Sequence, residues 1–234
     1  MTGGRDETHQ PSWERRLSLP AYRYGEAARL AEVTWQTVAR WQREYDRSAN
    51  QRDTIALRRP KLLSYLQLIE VAVVAQFRRA GVRFADLRWM HDYLGKKLQS
   101  EHPFATLKFK TDGARLLAAA DGFSAAKSLP LAMTMRNGQS VWADAIQQRF
   151  EQFEYERGLA LRWYPRGRGG GILVDPRIAF GAPVIAETGV PTQIVRERYE
   201  AGEELRDIEA DFAVSRQQIE AALEFERMRH IRVA

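Results

Sequence analysis

The chain has 234 residues, with 44% hydrophobic and 28% charged side chains, no cysteine, and 36 Lys+Arg against 30 Asp+Glu. That length and composition suit a folded protein with a sizeable core, and the missing cysteine excludes disulfides, thiolate metal sites and cysteine nucleophiles. The net charge of +6 is unevenly spread: residues 61–120 carry ten basic and five acidic groups, whereas residues 181–234 carry seven and eleven, a net of −4.

In chain order, residues 1–20 are polar and lack the apolar stretch of a signal peptide, so we expect a mobile N-terminal arm there. Tyr24, Ala27, Ala28 and Ala31 recur at helical spacing, and Glu32-Val33-Thr34 then separates them from a second helix with Val38, Trp41 and Tyr45 on one face. Val33 fits the apolar turn position and Thr34 an N-cap, so the pair reads as a helix-turn-helix. The other face of the second helix holds Thr34, Gln36, Thr37, Arg40 and Arg43, donors that reach base edges and phosphates in a major groove. Arg47, Arg52, Arg58, Arg59 and Lys61 follow around a short β-prone piece, Thr54-Ile55-Ala56-Leu57, as a wing that touches the DNA backbone would. These ten residues are the candidate DNA-binding set.

Two amphipathic helices come next, from Leu62 to Ala80 and from Phe84 to Leu98, broken at Gly81-Val82. Trp89 and His91 lie on the second and read as packing or surface residues, because His91 has no second ligand at i±3 or i±4. Residues 22–110 resemble the N-terminal region of MerR-type regulators. The resemblance rests on Tyr24-Gly25-Glu26-Ala27-Ala28, Val38 with Trp41, the basic wing, and Gln76 to Val82. It implies a winged helix-turn-helix with supporting helices over residues 21–103. The long dimerising coiled coil usual after this region in that family is absent from the pattern.

From Thr106 the period shortens. Thr106 to Lys110 alternates as a strand, with Asp112-Gly113 as a hairpin signal. Leu129 to Arg136 is a second alternating run closed by Asn137-Gly138, Val141 to Tyr155 reads as a helix, and Leu159 to Tyr164 as a strand. Residues 104–171 thus form a small α+β unit. Its last part, Arg166-Gly167-Arg168-Gly169-Gly170-Gly171, reads as a linker or hairpin tip, because a phosphate cradle needs a helix start where Ile172-Leu173-Val174 follows.

Residues 172–234 make a separate C-terminal unit: a β-hairpin, a helix from Ile194 to Ala201, and a second helix-turn-helix from Glu203 to Arg229. Ala213-Val214-Ser215 forms its turn, with Ser215 as N-cap. Asp175-Pro176-Arg177, Gly181-x-Pro183-Val184, Gly189-Val190-Pro191-Thr192, Gly202 and Ile219-x-x-Ala222-Leu223 resemble an antitoxin-like family of domains of unknown function. Joined to the MerR-like half, the architecture is similar to the larger VapB-type antitoxins of toxin–antitoxin modules. That resemblance implies double-stranded operator DNA and a cognate PIN-type ribonuclease toxin as partners, operon autoregulation, and a homodimer.

The fold expected is therefore α+β, mainly α, in a cytoplasmic protein with no membrane span. No catalytic, cofactor-binding or metal-binding residue is expected, since the chain lacks a Walker loop, His-x-x-x-His and Gly-x-Ser-x-Gly. Asp175 and Glu187 could still meet in space. The alternative reading is a stand-alone MerR-like transcriptional regulator whose middle unit binds a small-molecule effector in a pocket lined by Trp142, Phe150 and Trp163.

Overall fold

The computed structural model describes residues 12–48, 62–118, 133–136, 139–142 and 144–231. At its centre lies α4 (Tyr65–Arg79), which buries residues all round its circumference from Tyr65 to Phe77. A helix apolar on every side must be covered on every side. Its start is fixed by a capping box: Gln67 N donates to Ser64 Oγ at 3.3 Å, and Ser64 N donates to Gln67 Oε1 at 2.8 Å. Around it pack α1 (Ser12–Ser18), α2 (Tyr24–Leu30), α5 (Phe84–Leu98) and α7 (Asp144–Phe150). A two-stranded ribbon of β1 (Tyr22–Arg23) and β2 (Leu62–Leu63) ties the start of α2 to the start of α4.

Several expectations change. Within the stretch read as a mobile arm, residues 12–18 are helical, because Leu17 is buried in the common core and Trp13 packs partly against it. The strand expected at Thr106 to Lys110 is the start of helix α6 (Leu107–Ala118). Thr106 caps it, accepting from Phe109 N at 3.1 Å, and Phe109, Ala114 and Leu117 are buried. Asp112-Gly113 therefore lies inside a helix and not in a turn. The helix expected from Val141 to Tyr155 is only α7. Before it, β4 (Gln139–Trp142) pairs with β3 (Met133–Arg136). After it, β5 (Phe153–Glu156) pairs with β6 (Leu159–Trp163). The β5–β6 hairpin closes through Arg157 and Gly158, both in the left-handed region at φ 50° and 81°, as a tight two-residue turn requires.

The Gly-rich run is a hairpin tip. Trp163 and Val174 exchange backbone hydrogen bonds at 3.0 and 2.8 Å across it, Arg166 pairs with Glu32 at 3.2 Å, and Arg168 pairs with Glu154. Contacts therefore cross the boundary expected at residue 172. Val174 is fully buried, and the buried carboxylate of Asp175 is held by Arg162 at 3.2 Å and Arg177 at 2.7 Å. Beyond it, β7 (Ile172–Leu173) pairs with β8 (Val184–Ile185), and α8 (Thr192–Glu200), α9 (Leu205–Phe212) and α10 (Arg216–Ile231) complete the chain. One hydrophobic core runs from Leu17 to Phe225. The fold is mixed and mainly helical. Among the described residues no helix is long and apolar enough to cross a membrane.

Candidate nucleic-acid interface

The turn between α2 and α3 (Trp35–Ser48) is built as its sequence indicates. Glu32 takes the left-handed conformation at φ 54°, Val33 N donates back to Ala28 O at 2.9 Å, and Thr34 Oγ1 accepts from Thr37 N at 3.3 Å. Val38 and Trp41 are fully buried beneath α3. On the opposite face Thr34, Gln36, Arg40 and Arg43 are exposed and Thr37 is half-buried. The Arg40 guanidinium lies over the Phe84 ring at 4.6 Å, and Arg78 is 4.9 Å from the same ring. Arg40 is thus held flat against α5, while Arg43 projects from the helix. Of the expected wing, Arg52, Arg58, Arg59 and Lys61 lie outside the described residues. Arg47 is in α3, with its side chain outside them.

Trp35, the first residue of α3, has no place in the residue set expected from sequence, yet it is 58% exposed beside Thr34 and Gln36. Spacing gives no signal of this, because Trp35 lies three residues before Val38 and so continues the apolar stripe.

Behind α3 lies a buried polar cluster that the sequence did not reveal. Glu70 on α4 has no exposed surface. Its carboxylate faces His91 Nε2 at 3.0 and 3.2 Å and His102 Nδ1 at 3.5 Å, and accepts from Phe104 N at 3.4 Å. The His91 ring sits edge-on to Trp41 at 5.4 Å and to Phe104 at 5.3 Å. Burial alone would lower the His91 pKa, but the charge of Glu70, with hydrogen bonds to Asp92 and Glu70, outweighs it and raises the pKa to about 9. Burial would likewise raise Glu70, but the two histidines hold it below the ordinary carboxylate value. Arg88 covers the Trp41 ring at 5.1 Å and donates to Trp41 O at 3.4 Å. Helix α3 is thus anchored through Trp41 to a buried ion cluster. Among the described residues no group of three or more His, Asp or Glu is arranged to hold a metal ion.

A second turn of the same build joins α9 to α10. Ala213 is left-handed at φ 51°, Val214 N donates to Glu209 O at 3.2 Å, and Ser215 Oγ accepts from Gln218 N at 3.3 Å. Matching Ser215 to Thr34 sets Glu224 where the first unit has Arg43, and Glu220 where it has Ala39. Three of the cations here are paired with carboxylates: Arg216 with Glu220 at 3.0 Å, Arg206 with Glu204 at 2.9 Å, and Arg198 with Asp211 at 2.6 Å. One backbone device therefore carries a cationic face in one place and a carboxylate-rich face in the other.

The aromatic pocket expected in the middle unit is not formed by Phe150 and Trp163. Phe150 packs edge-on to Phe77 and Phe109, and Trp163 stacks on Phe153, all in the core. The side chain of Trp142 lies outside the described residues. A cleft of about 490 Å³ opens elsewhere, between α1 and the β5–β6 hairpin, lined among others by Trp13, Leu17, Arg157 and Leu161. Asp175 and Glu187 do not meet: the first is held by two arginines, and the second accepts from Gln218 Nε2 at 2.6 Å.

Residues 172–225 match a family described as a protein of unknown function, DUF433. Over 229 residues the chain is 27% identical to a Mycobacterium tuberculosis (strain H37Rv) protein named "Putative antitoxin VapB45", covering 90% of this chain and 95% of that one. Its fold is shared with the crystal structure of Rv2018 from Mycobacterium tuberculosis, at a TM-score of 0.74 and 25% identity over 89% of this chain and 99% of that chain.

Proposed function

We propose that the chain is an antitoxin of a toxin–antitoxin module that binds operator DNA through the face of α3. In this reading Thr34, Gln36, Thr37, Arg40 and Arg43 enter a major groove, and phosphates are contacted by Arg47 from the end of α3 and by Arg52, Arg58, Arg59 and Lys61 from a MerR-like wing. A homodimer would read a two-fold operator and so repress its own operon. The C-terminal unit, 172–234, binds and neutralises a PIN-type ribonuclease toxin. The observation that carries this division is the chemistry of two equivalent turns. DNA affinity rests largely on phosphate neutralisation, which Arg40 and Arg43 can supply and Glu220 and Glu224 oppose. Likeness to a protein named as an antitoxin supports the module.

For the DNA arm, Arg43→Ala is expected to weaken binding to a duplex from the chain's own upstream region about tenfold. It should also flatten the log K against log salt slope by about one. Titration of wild type and variant by fluorescence anisotropy at several salt concentrations checks this, and an unchanged slope removes Arg43 from the interface. For the partner arm, Glu220→Lys with Glu224→Lys reverses exposed charge on the second turn and leaves the core untouched. Co-expression with the toxin encoded beside it should then lose toxin capture and growth protection while operator binding persists. Retained capture would place the toxin on another surface. Deletion of residues 172–234 is a poorer test, because it strips Val174 and Asp175 from the shared core.

A further inference from the structure

An indole left 58% exposed at the head of a helix is not dictated by this fold. The equivalent position on the second turn, of the same build, is occupied by Arg216. Of the other tryptophans whose side chains are described, Trp41 and Trp163 are buried and Trp13 and Trp89 half-buried. Trp35 stands between the exposed side chains of Thr34 and Gln36, and from Thr34 to Arg43 the only charges on α3 are Arg40 and Arg43. The surface around the indole is therefore apolar at one point, hydrogen-bonding beside it and cationic further along. A major-groove edge offers the complement of each: thymine C5-methyl groups, base donors and acceptors, and flanking phosphates.

We propose that Trp35 is a sequence-determining contact, its indole packed on a thymine C5-methyl and the adjoining deoxyribose in the major groove. This rests on the DNA-binding reading of α3 and adds to it. Phosphate contacts hold the helix on any duplex, and Trp35 selects among duplexes by apolar contact. The contact neutralises no charge, so it leaves the salt dependence alone.

The test uses the full chain, 40-base-pair duplexes tiling its own upstream region, the same duplexes made with deoxyuridine for thymidine, and a random duplex. Trp35→Ala is expected to bind the preferred tile about 10- to 30-fold more weakly, with an unchanged salt slope and unchanged affinity for the random duplex. Uracil substitution should weaken the wild type by a similar factor and Trp35→Ala no further. Trp35→Phe should recover part of the loss. Full preference retained by Trp35→Ala, or equal sensitivity of both proteins to uracil, overturns the proposal. So does a change of oligomeric state in sedimentation, which would mean that the indole covers a second copy. If Arg43→Ala loses binding and Trp35→Ala does not, only the Trp35 assignment fails. If neither variant weakens any duplex, the DNA-binding reading of α3 fails with it.

Discussion

Glu70→Ala is expected to cost about 3–5 kcal/mol of stability, because it leaves His91 facing a void without the anion that balances it and takes from His102 its hydrogen-bond partner. The carboxylate has no exposed surface and gathers contacts from α5, from the loop before Pro103 and from the backbone of Phe104. Urea denaturation of the variant should show a midpoint well below that of wild type. Glu70→Gln keeps the volume and removes only the charge, so it isolates the electrostatic part. In the wild type, His91 has its pKa raised from near 6.5 to about 9. Its charged form is therefore favoured by the folded state, a contribution fully present below about pH 6.5 and lost as pH rises through about 9. Glu70 is shifted downward, so its contribution is present above the ordinary carboxylate range and lost as pH falls below it. The titratable and charged groups around His91 are Glu70, His102, Asp92 and Arg88, and of these Arg88 opposes its protonation. Wild-type stability should thus decline between pH 7 and 10, while Glu70→Gln should be less stable at pH 7 and nearly flat over that window. An equally steep decline in Glu70→Gln would mean that another group governs the alkaline limb. Because His91 packs edge-on to Trp41, the same loss should loosen α3 and weaken any function its face performs.

The parts of this arrangement that sequence discloses are those decided locally. Glu32-Val33-Thr34 and Ala213-Val214-Ser215 specify their turns through a left-handed residue, a valine packed against the core and a hydroxyl cap. All three act within a few residues. Val38 and Trp41 announce the buried face of α3 by spacing alone, and the amphipathic runs announce α4 and α5. Thr106 to Lys110 misleads because its alternation mimics a strand, whereas in the helix Leu107 is exposed and Phe109 alone turns to the core. What decides is Phe109, Ala114 and Leu117 reaching one core, over a longer span than the window. Val141 to Tyr155 misleads for the opposite reason: its apolar residues fit one long helix until Arg157-Gly158 pairs Phe153 with Trp163. His91 looks solitary on its own helix because its partners come from α4 and from the loop at His102. The exposure of Trp35 was equally hidden, since a tryptophan in an amphipathic helix is normally counted to the core. The residues facing solvent on α3 were legible, because the Val38–Trp41 stripe fixes the opposite face.

The joint between the two halves gives the other large effect. Gly181→Ala is expected to destabilise by about 3 kcal/mol or more, since two independent penalties coincide. Gly181 sits at φ 82°, where a side chain is strained, and an added Cβ would lie 2.0 Å from Tyr22 Oη. Tyr22 cannot yield easily. Its hydroxyl donates to Gly181 O at 2.9 Å, its backbone pairs with Leu63, and its ring lies 6.5 Å from that of Tyr65. Tyr65 in turn donates to Leu161 O at 2.8 Å, beneath the strand that carries Trp163. The two tyrosines thus pin the segment entering the C-terminal unit onto β1 and α4, and burial holds both hydroxyls protonated well above the ordinary range. A double-mutant cycle separates the two penalties. Tyr22→Phe removes the hydroxyl that the new methyl strikes, so Gly181→Ala in that background should cost less, keeping the backbone strain of about 1–2 kcal/mol and a tight 3.2 Å contact with the ring Cζ. Equal losses in both backgrounds would refute the steric account. The preceding Ala179 and Phe180 are also left-handed, at φ 45° and 56°, so the whole bend depends on this clamp. With the clamp released, the C-terminal helices should exchange amide hydrogens faster than α4, although in wild type one continuous core spans both halves.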